Sequence, residues 1–254
     1  MRIGCKRDRK ALGRTLARAA VIMGMVGACG GMAHAADQDP ANFACDGDVS
    51  SSASRILATH REEVGDGSRL LGSTDDLKAL LAAMRRGDQD IRFLAVGLMG
   101  RCGQRADSDA MRLVIPTIRT IDQVNKDVLR RILQEKGWPV ISIYGEEADQ
   151  TAFLMAQHAD RDPKFQRVVL KILEDQLRAG ETRGENYALL FDRVRIAEAQ
   201  PQRYGSQGRC VGKAWVPDRL EDPKKVDQLR KSVGLEPMAE YRKKVTSLFC
   251  AGAL

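Results

Sequence analysis

The sequence predicts a mainly α-helical protein, built as a helical bundle or an orthogonal helical domain with, at most, a short β element. Apolar residues recur at steps of three and four through most of the chain after residue 73, which is the spacing of one face of a helix. Capping residues precede these runs, and glycines or prolines follow them. The β-branched stretch at 140–144 indicates an extended link or a short strand.

The first 35 residues have the composition of a cleavable signal peptide. Residues 1–18 carry seven Lys or Arg and one acid, and residues 19–32 contain no charged side chain. This apolar run is too short and too rich in glycine to span a bilayer stably. Ala33 and Ala35 supply the small residues that signal peptidase requires. We therefore expect cleavage near Ala35 and a periplasmic or secreted mature chain.

A lipoprotein signal is the competing interpretation of this segment. Residues 26–29, Val-Gly-Ala-Cys, resemble a lipobox, in which Cys29 would be acylated and become the first mature residue. Cleavage near Ala35 is favoured because the triplet 33–35 lies where the apolar run stops. No other stretch approaches transmembrane length, so no transmembrane anchor is expected in the mature chain.

Removal of the signal peptide changes the electrostatic character of the protein. Seven of the 41 Lys and Arg residues and one of the 34 Asp and Glu residues leave with residues 1–35, so the mature charge is near +1. The chain also lacks basic residues interleaved with aromatic ones. Its charge therefore gives no reason to propose a nucleic-acid partner.

Four cysteines remain after cleavage, an even number in an oxidising compartment, which predicts disulfides. Among the three possible pairings we favour Cys45 with Cys102 and Cys210 with Cys250, because each pair belongs to one segment of the chain. No CxxC motif or close Cys/His spacing occurs. The sequence therefore predicts no metal site and no cofactor.

The mature chain divides into an N-terminal helical segment, 36–115, and a helical domain, 116–254. In the first, residues 73–102 are predicted to form a helical hairpin that breaks at Gly87, with Asp88 capping the second helix. Pro116 is expected to kink or end the next periodic run.

The helical domain has well-marked segment boundaries. Asp122 is predicted to cap a helix that ends at Gly137, and Asp162 followed by Pro163 starts another. A glycine-rich loop region is expected around Tyr204. The remaining predicted helices cover 146–158, 163–179, 184–199, 223–232 and 237–249.

An ordered set of short motifs runs through this domain. The set consists of Gly137-Trp138-Pro139, Gln157-His158-Ala159-Asp160 with Asp162-Pro163 and Gln166, Asp192-Arg193-Val194, Pro201-Gln202 and Tyr204-Gly205-Ser206-Gln207, with a late Arg230, Gly234-Leu235 and Tyr241. Together the motifs resemble a bacterial family catalogued as domain of unknown function 6624, over roughly 121–244. Ser206 stands where that family usually has Thr, so a hydroxyl is retained. The resemblance implies a shared fold and a shared polar cluster, but no reaction, substrate or cofactor.

Two of these motifs supply candidate residues with open alternatives. His158 ends a helix, where it either caps carbonyl groups or serves a site beside Asp160. Asp192 and Arg193 lie mid-helix among apolar neighbours, so they need partners if buried. One alternative is a plain structural ion pair, for example between Asp192 and an arginine elsewhere in the chain. The other is a site in which Asp192 orients His158 and Arg193 holds an anion.

The loop 202–207 has two readings as well: it presents polar groups to a ligand, or it forms a tight turn in which Tyr204 packs over the core. His60 lies in an Arg/Glu-rich helix and is predicted to be exposed to solvent. The complete set of candidate ligand-binding residues is Gln157, His158, Asp160, Arg193, Gln202, Tyr204 and Gln207.

Two functional hypotheses follow. The first is an exported domain that binds an unknown small molecule or an envelope protein through this polar cluster. The alternative is a hydrolase-type enzyme that uses His158 and Asp192 as an acid/base pair. The phosphate-loop, HExxH and GxSxG motifs are absent, which argues against common kinases, zinc proteases and serine hydrolases. Both hypotheses predict that His158, Arg193 or Asp192, Gln202 and Tyr204 line one partly exposed pocket.

Overall fold

The computed structural model describes residues 49–65, 67, 72–101 and 103–250, apart from the side chains of 99–101 and 103–111. The predicted signal peptide, Cys29 and the predicted pairing of Cys45 with Cys102 lie outside the described residues. Within them no helix is long and apolar enough to cross a membrane.

Nine helices and one two-stranded antiparallel sheet make up the described part of the chain, so the predicted fold class is confirmed. The helices are α1 (Val49–Val64), α2 (Thr74–Arg101), α3 (Gly103–Glu135), α4 (Ile141–Tyr144), α5 (Glu146–His158), α6 (Pro163–Ala179), α7 (Gly184–Ala197), α8 (Val226–Ser232) and α9 (Met238–Phe249). The strands are β1 (Gly208–Val211) and β2 (Ala214–Pro217). The short β element is therefore this hairpin, whereas the stretch at 140–144 forms α4.

The predicted hairpin at 73–102 is wrong, because α2 continues through Gly87 as one helix. Ser73 caps its start, since the Ser73 hydroxyl accepts from the Asp76 amide at 3.1 Å. Gly87 allows the close approach of His60, whose ring lies where a side chain at 87 would begin. His60 is buried, so its predicted exposure is also wrong.

Helix α3 likewise continues where the sequence predicted an interruption. Pro116 lies inside it, and Asp122 is an interior residue rather than a cap. Val114, Ile118 and Ile121, on both sides of the proline, are buried against α1 and α2. Burial of this apolar face offsets the backbone hydrogen bond that proline cannot donate.

Helices α1, α2 and α3 pack against one another and carry two separate hydrophobic cores. One core contains Val49, Ile91, Leu94, Leu98 and Ile118 among others. The larger core extends from α2 and α3 to α5, α6 and α7 and contains Leu80, Met84, Leu129, Phe153 and Leu173 among others. Polar residues of α1, α2 and α3 lie between the two cores along the helices: His60, Asp88, Arg92 and Asn125 are buried, and Asp122 is half-buried.

The C-terminal part has its own small core around Trp215, which α9 and the hairpin share with α8. A disulfide joins Cys210 of β1 to Cys250, just after α9, with their Cα atoms 5.6 Å apart. This predicted pairing is confirmed. It fixes the end of α9 to the hairpin.

Loss of this disulfide is expected to lower the thermal midpoint. The bond closes a loop with a sequence separation of 40, and such a loop restricts the unfolded chain by about 4 kcal/mol in the chain-entropy account. Calorimetry of the Cys210→Ser/Cys250→Ser double variant in residues 36–254, compared with the same residues unaltered and without reductant, isolates this pair from Cys45 and Cys102. Equal midpoints would contradict the expectation.

The Gly87→Ala substitution is expected to destabilise the protein. Alanine would favour the helix by about 1 kcal/mol, but its Cβ would lie 2.7 Å from Cγ of His60. Overpacking of this kind costs about 1–3 kcal/mol. Urea unfolding measures the effect, and a double-mutant cycle with His60→Ala identifies its source. Strictly additive effects of the two substitutions would show that the His60 ring is not the obstacle.

Candidate functional site

A buried network of charged side chains joins α2, α3 and α5. Oδ1 of Asp88 accepts hydrogen bonds from Nη1 of Arg92 at 2.6 Å and from Nδ1 of His158 at 2.7 Å. Nη2 of Arg92 donates to Oδ1 of Asp122 at 2.7 Å. Burial alone would raise the pKa of Asp88, but the neighbouring Arg92 and His158 lower it to about 2. Asp88 is therefore held as a carboxylate that accepts from both partners.

The network extends towards the surface at Asp160, which follows α5. Nη1 of Arg193, on α7, donates to Oδ1 of Asp160 at 2.6 Å. Nε2 of Gln166 donates to the same oxygen at 3.3 Å and to the carbonyl groups of Ala156 and Gln157 at 3.1 and 3.0 Å, so it also caps the end of α5. The side chains of Asp160 and Arg193 are 33% and 11% exposed, respectively. This ion pair therefore lies closer to solvent than the buried network.

Electrostatics connect this ion pair to the buried group. Burial lowers the pKa of Arg92, but Asp88, Asp122 and also Asp160 outweigh this effect and raise it. Burial raises the pKa of Asp160, and its ion pair with Arg193 outweighs that and lowers it. Arg92 and Asp160 are thus stabilised in their charged forms mainly by their direct partners, and Asp160 adds to the stabilisation of Arg92.

Asp192 belongs to a second network, around the loop 202–207. Its Oδ1 accepts from the backbone amides of Arg203 at 2.8 Å and Tyr204 at 3.0 Å, and its Oδ2 accepts from the amide of Ser206 at 2.8 Å. The residue is fully buried. The carboxylate that is hydrogen-bonded to His158 is therefore that of Asp88, whereas the sequence suggested Asp192. The three hydrogen bonds of Asp192 hold the loop 202–207 to α7.

The side chain of Gln202 stabilises the same loop through hydrogen bonds to the backbone of Gln207 and Asp218. Nε2 of Gln202 donates to the carbonyl groups of Gln207 at 2.7 Å and Asp218 at 2.9 Å, and Oε1 of Gln202 accepts from the amide of Gln207 at 2.8 Å. Gly205 adopts a positive φ of 69° in this turn. All these bonds are internal to the fold, which fits the tight-turn reading of the loop.

Tyr204 packs its ring against two aromatic residues of α7. Its centroid lies 6.4 Å from that of Tyr187 and 5.8 Å from that of Phe191, both in edge-on geometry. The carbonyl of Tyr204 accepts from Nη1 of the buried Arg230 at 2.7 Å. Tyr241 donates its hydroxyl to the carbonyl of Ser206 at 3.1 Å. These motif residues therefore tie α8 and α9 to the loop.

The structure divides the predicted site into two groups. It brings His158, Asp160 and Arg193 together, with Gln157 buried at the end of α5. It places Asp192, Gln202, Tyr204 and Gln207 in the second network, and adjacent positions 192 and 193 of α7 connect the two. His158, Gln202 and Tyr204 are buried rather than partly exposed. In the described part of the chain, a surface depression is lined by Asp227, Gln228, Lys231, Leu235 and Pro237, none of which is a predicted site residue.

Sequence reasoning missed Asp88, Arg92 and Asp122 as parts of the site. Asp88 and Arg92 lie one helical turn apart on a face that is otherwise apolar, between Met84 and Ala95. That spacing is a signal for a buried ion pair, but it is visible only if α2 runs through Gly87.

The fold and the site define this protein as a mainly helical domain. It contains a buried ionic network and a small disulfide-linked hairpin. The chain belongs to a family of unknown function, DUF6624, which matches residues 75–250. The match contains both networks, and it begins upstream of the motifs that suggested the family, so Asp88 and Arg92 lie within it. No curated protein and no solved structure matches the chain.

Proposed function

We propose that this chain is an exported domain, periplasmic or secreted, that binds a small polar ligand where Asp160 and Arg193 reach the surface. The observation that carries the proposal is the ion pair itself, 2.6 Å long and partly exposed at the end of a buried network. It presents a carboxylate and a guanidinium side by side. A guanidinium can bind a carboxylate or phosphate group of a ligand, and a carboxylate can accept from an amine or a hydroxyl.

Preorganisation supports binding at this place. Gln166 donates a hydrogen bond to Asp160, and Arg193 belongs to helix α7, which has several buried residues. A ligand would therefore meet groups that are already ordered, so little side-chain entropy would be lost on binding.

Titration of the mature protein, residues 36–254, with amino acids, dipeptides, sugars and inorganic phosphate tests the proposal. Calorimetry should find a saturable member of this panel, and Arg193→Gln should weaken its binding at least tenfold. The matched control is Arg167→Gln, because Arg167 forms an exposed ion pair with Glu198 at 2.8 Å. The control should bind as the unaltered protein does. Binding that survives Arg193→Gln, or a panel without any binder, would contradict the proposal.

An acid/base hydrolase is the second candidate, and one contact favours it. Nδ1 of His158 donates to a carboxylate, which is the arrangement that leaves Nε2 as a base. The partner in this version is Asp88 instead of Asp192. However, Nε2 is buried, so a substrate could reach it only after the surrounding helices move.

An activity panel of esters, phosphates, glycosides and peptides separates the two candidates. Turnover that disappears in both His158→Gln and Asp88→Asn, with thermal midpoints showing that both variants fold, would replace the binding proposal by the enzyme. Absence of turnover together with binding that depends on Arg193 would support the binding domain.

A further inference from the structure

The polar layer between the two cores, defined here as His60, Asp88, Arg92, Asp122, Asn125 and His158, contains a group with metal-binding geometry. Asp88, Asp122 and His158 each offer one ligand atom, and the three atoms lie within 4.8 Å of one another. The three residues come from α2, α3 and α5, and α5 packs against both other helices. Metal sites in helical bundles are built in this way, from side chains of facing helices.

Several buried polar atoms of the same polar layer have no hydrogen-bond partner. Among the described residues, Oδ1 of Asn125, both ring nitrogens of His60 and Nε2 of His158 are buried without a hydrogen-bond partner. Asn125 lies beside His60, but no bond of acceptable geometry joins them. A buried polar atom without a partner is unfavourable. A neutral imidazole has one accepting nitrogen, so His60, His158 and Asn125 each offer one acceptor that a cation or a donor would satisfy.

The charged side chains of the network and the neighbouring ion pair have a negative formal sum, which favours a cation. Asp88, Asp122 and Asp160 carry three negative charges, whereas Arg92 and Arg193 carry two positive charges. Arg92 bonds to Oδ1 of both Asp88 and Asp122, so a cation has to share these carboxylates with it. The second oxygen of Asp88 accepts from Nε2 of Gln89 at 2.7 Å, so a cation has to use a remaining lone pair of this carboxylate or displace one of these bonds.

We propose that Asp88, Asp122 and one ring nitrogen of His158 bind a divalent transition-metal cation of the Zn²⁺ class. Imidazole together with carboxylates favours Zn²⁺ over Mg²⁺ and Ca²⁺, which prefer oxygen ligands alone. Asn125 follows Asp122 by one helical turn on α3 and places a further oxygen on the same face. The site does not depend on the proposed ligand at Asp160 and Arg193, because its ligands are different residues.

Calorimetric titration of the chelator-treated mature protein with ZnCl₂ tests this site. One Zn²⁺ per chain is expected, and Asp122→Asn should weaken binding at least tenfold while keeping the shape of the side chain. Asp127→Asn, an exposed position on the same helix α3, is the matched control and should leave the affinity unchanged. MgCl₂ should not bind at comparable concentrations.

Three outcomes would overturn the proposal: no saturable binding of Zn²⁺, equal effects of the Asp122 and Asp127 substitutions, or equal affinity for Mg²⁺. If Asp122→Asn does not fold, the ¹⁵N resonances of the His158 ring in the unaltered protein replace that comparison. They should shift on addition of Zn²⁺. Unchanged His158 resonances at saturating Zn²⁺ would equally overturn the site.

Discussion

Replacement of Arg92 by methionine is expected to lower the free energy of unfolding by about 3–5 kcal/mol. The guanidinium is the shared partner of Asp88 and Asp122, and the side chains of Arg92 and Asp88 are at most 1% exposed. Methionine fills similar space but leaves both carboxylates without that charge. A buried charge that loses its partner costs far more than the ion pair contributes.

Urea unfolding measures this effect, and the neighbouring Arg86 provides the control on the same helix. Arg86 pairs with Glu63 at 3.0 Å, and its side chain is 57% exposed. The Arg86→Met variant is therefore expected to lose less than about 1 kcal/mol. Similar losses for the two variants would show that Arg92 is not part of a buried network.

Asp192→Ala is expected to be the second severe substitution, with a loss of roughly 3 kcal/mol or more from three orphaned amides. The amides of Arg203, Tyr204 and Ser206 all donate to this one carboxylate. Without it the loop 202–207 loses its attachment to α7, and the bond from Arg230 to Tyr204 has no fixed acceptor. Hydrogen exchange at these three amides should therefore accelerate together.

Asp175→Ala on α6 is the control. The Asp175 side chain is 55% exposed, and its ion pairs in the described part of the chain are with basic residues of the same helix. Its stability and the exchange of the loop amides should stay close to those of the unaltered protein. If the loop amides remained protected in Asp192→Ala, the structural role assigned to Asp192 would be contradicted.

Helices with local boundary signals could be predicted from the sequence. The clearest is α6, where the Asp162 side chain accepts from the amide of Phe165 at 3.0 Å, Pro163 occupies the first turn and Gly180 ends the helix at a φ of 73°. These contacts join residues only a few positions apart, so the residue types alone reveal them. The same applies to α5, whose predicted and observed bounds agree.

Packing between distant segments determines the features that the sequence did not predict, which are the continuity of α2 and α3 and the partner of His158. Gly87 and Pro116 are helix breakers by local preference, but the His60 ring and the buried faces of α2 and α3 keep both helices continuous. His158 was recognised as a candidate, whereas its partner Asp88 lies 70 residues away. No spacing rule connects the two, and for the same reason Cys/His motifs say nothing about the proposed metal site, whose three residues come from three helices.

The most direct test of the proposed binding site is a map of ligand-induced shifts in the amide spectrum of the mature protein. The ligand is the panel member that binds in the calorimetric screen. The account predicts that the largest shifts occur at Asp160, Gln166 and Arg193, with small shifts in the loop 202–207. Largest shifts at the depression around Lys231, or in the loop, with none at Asp160 and Arg193, would contradict it.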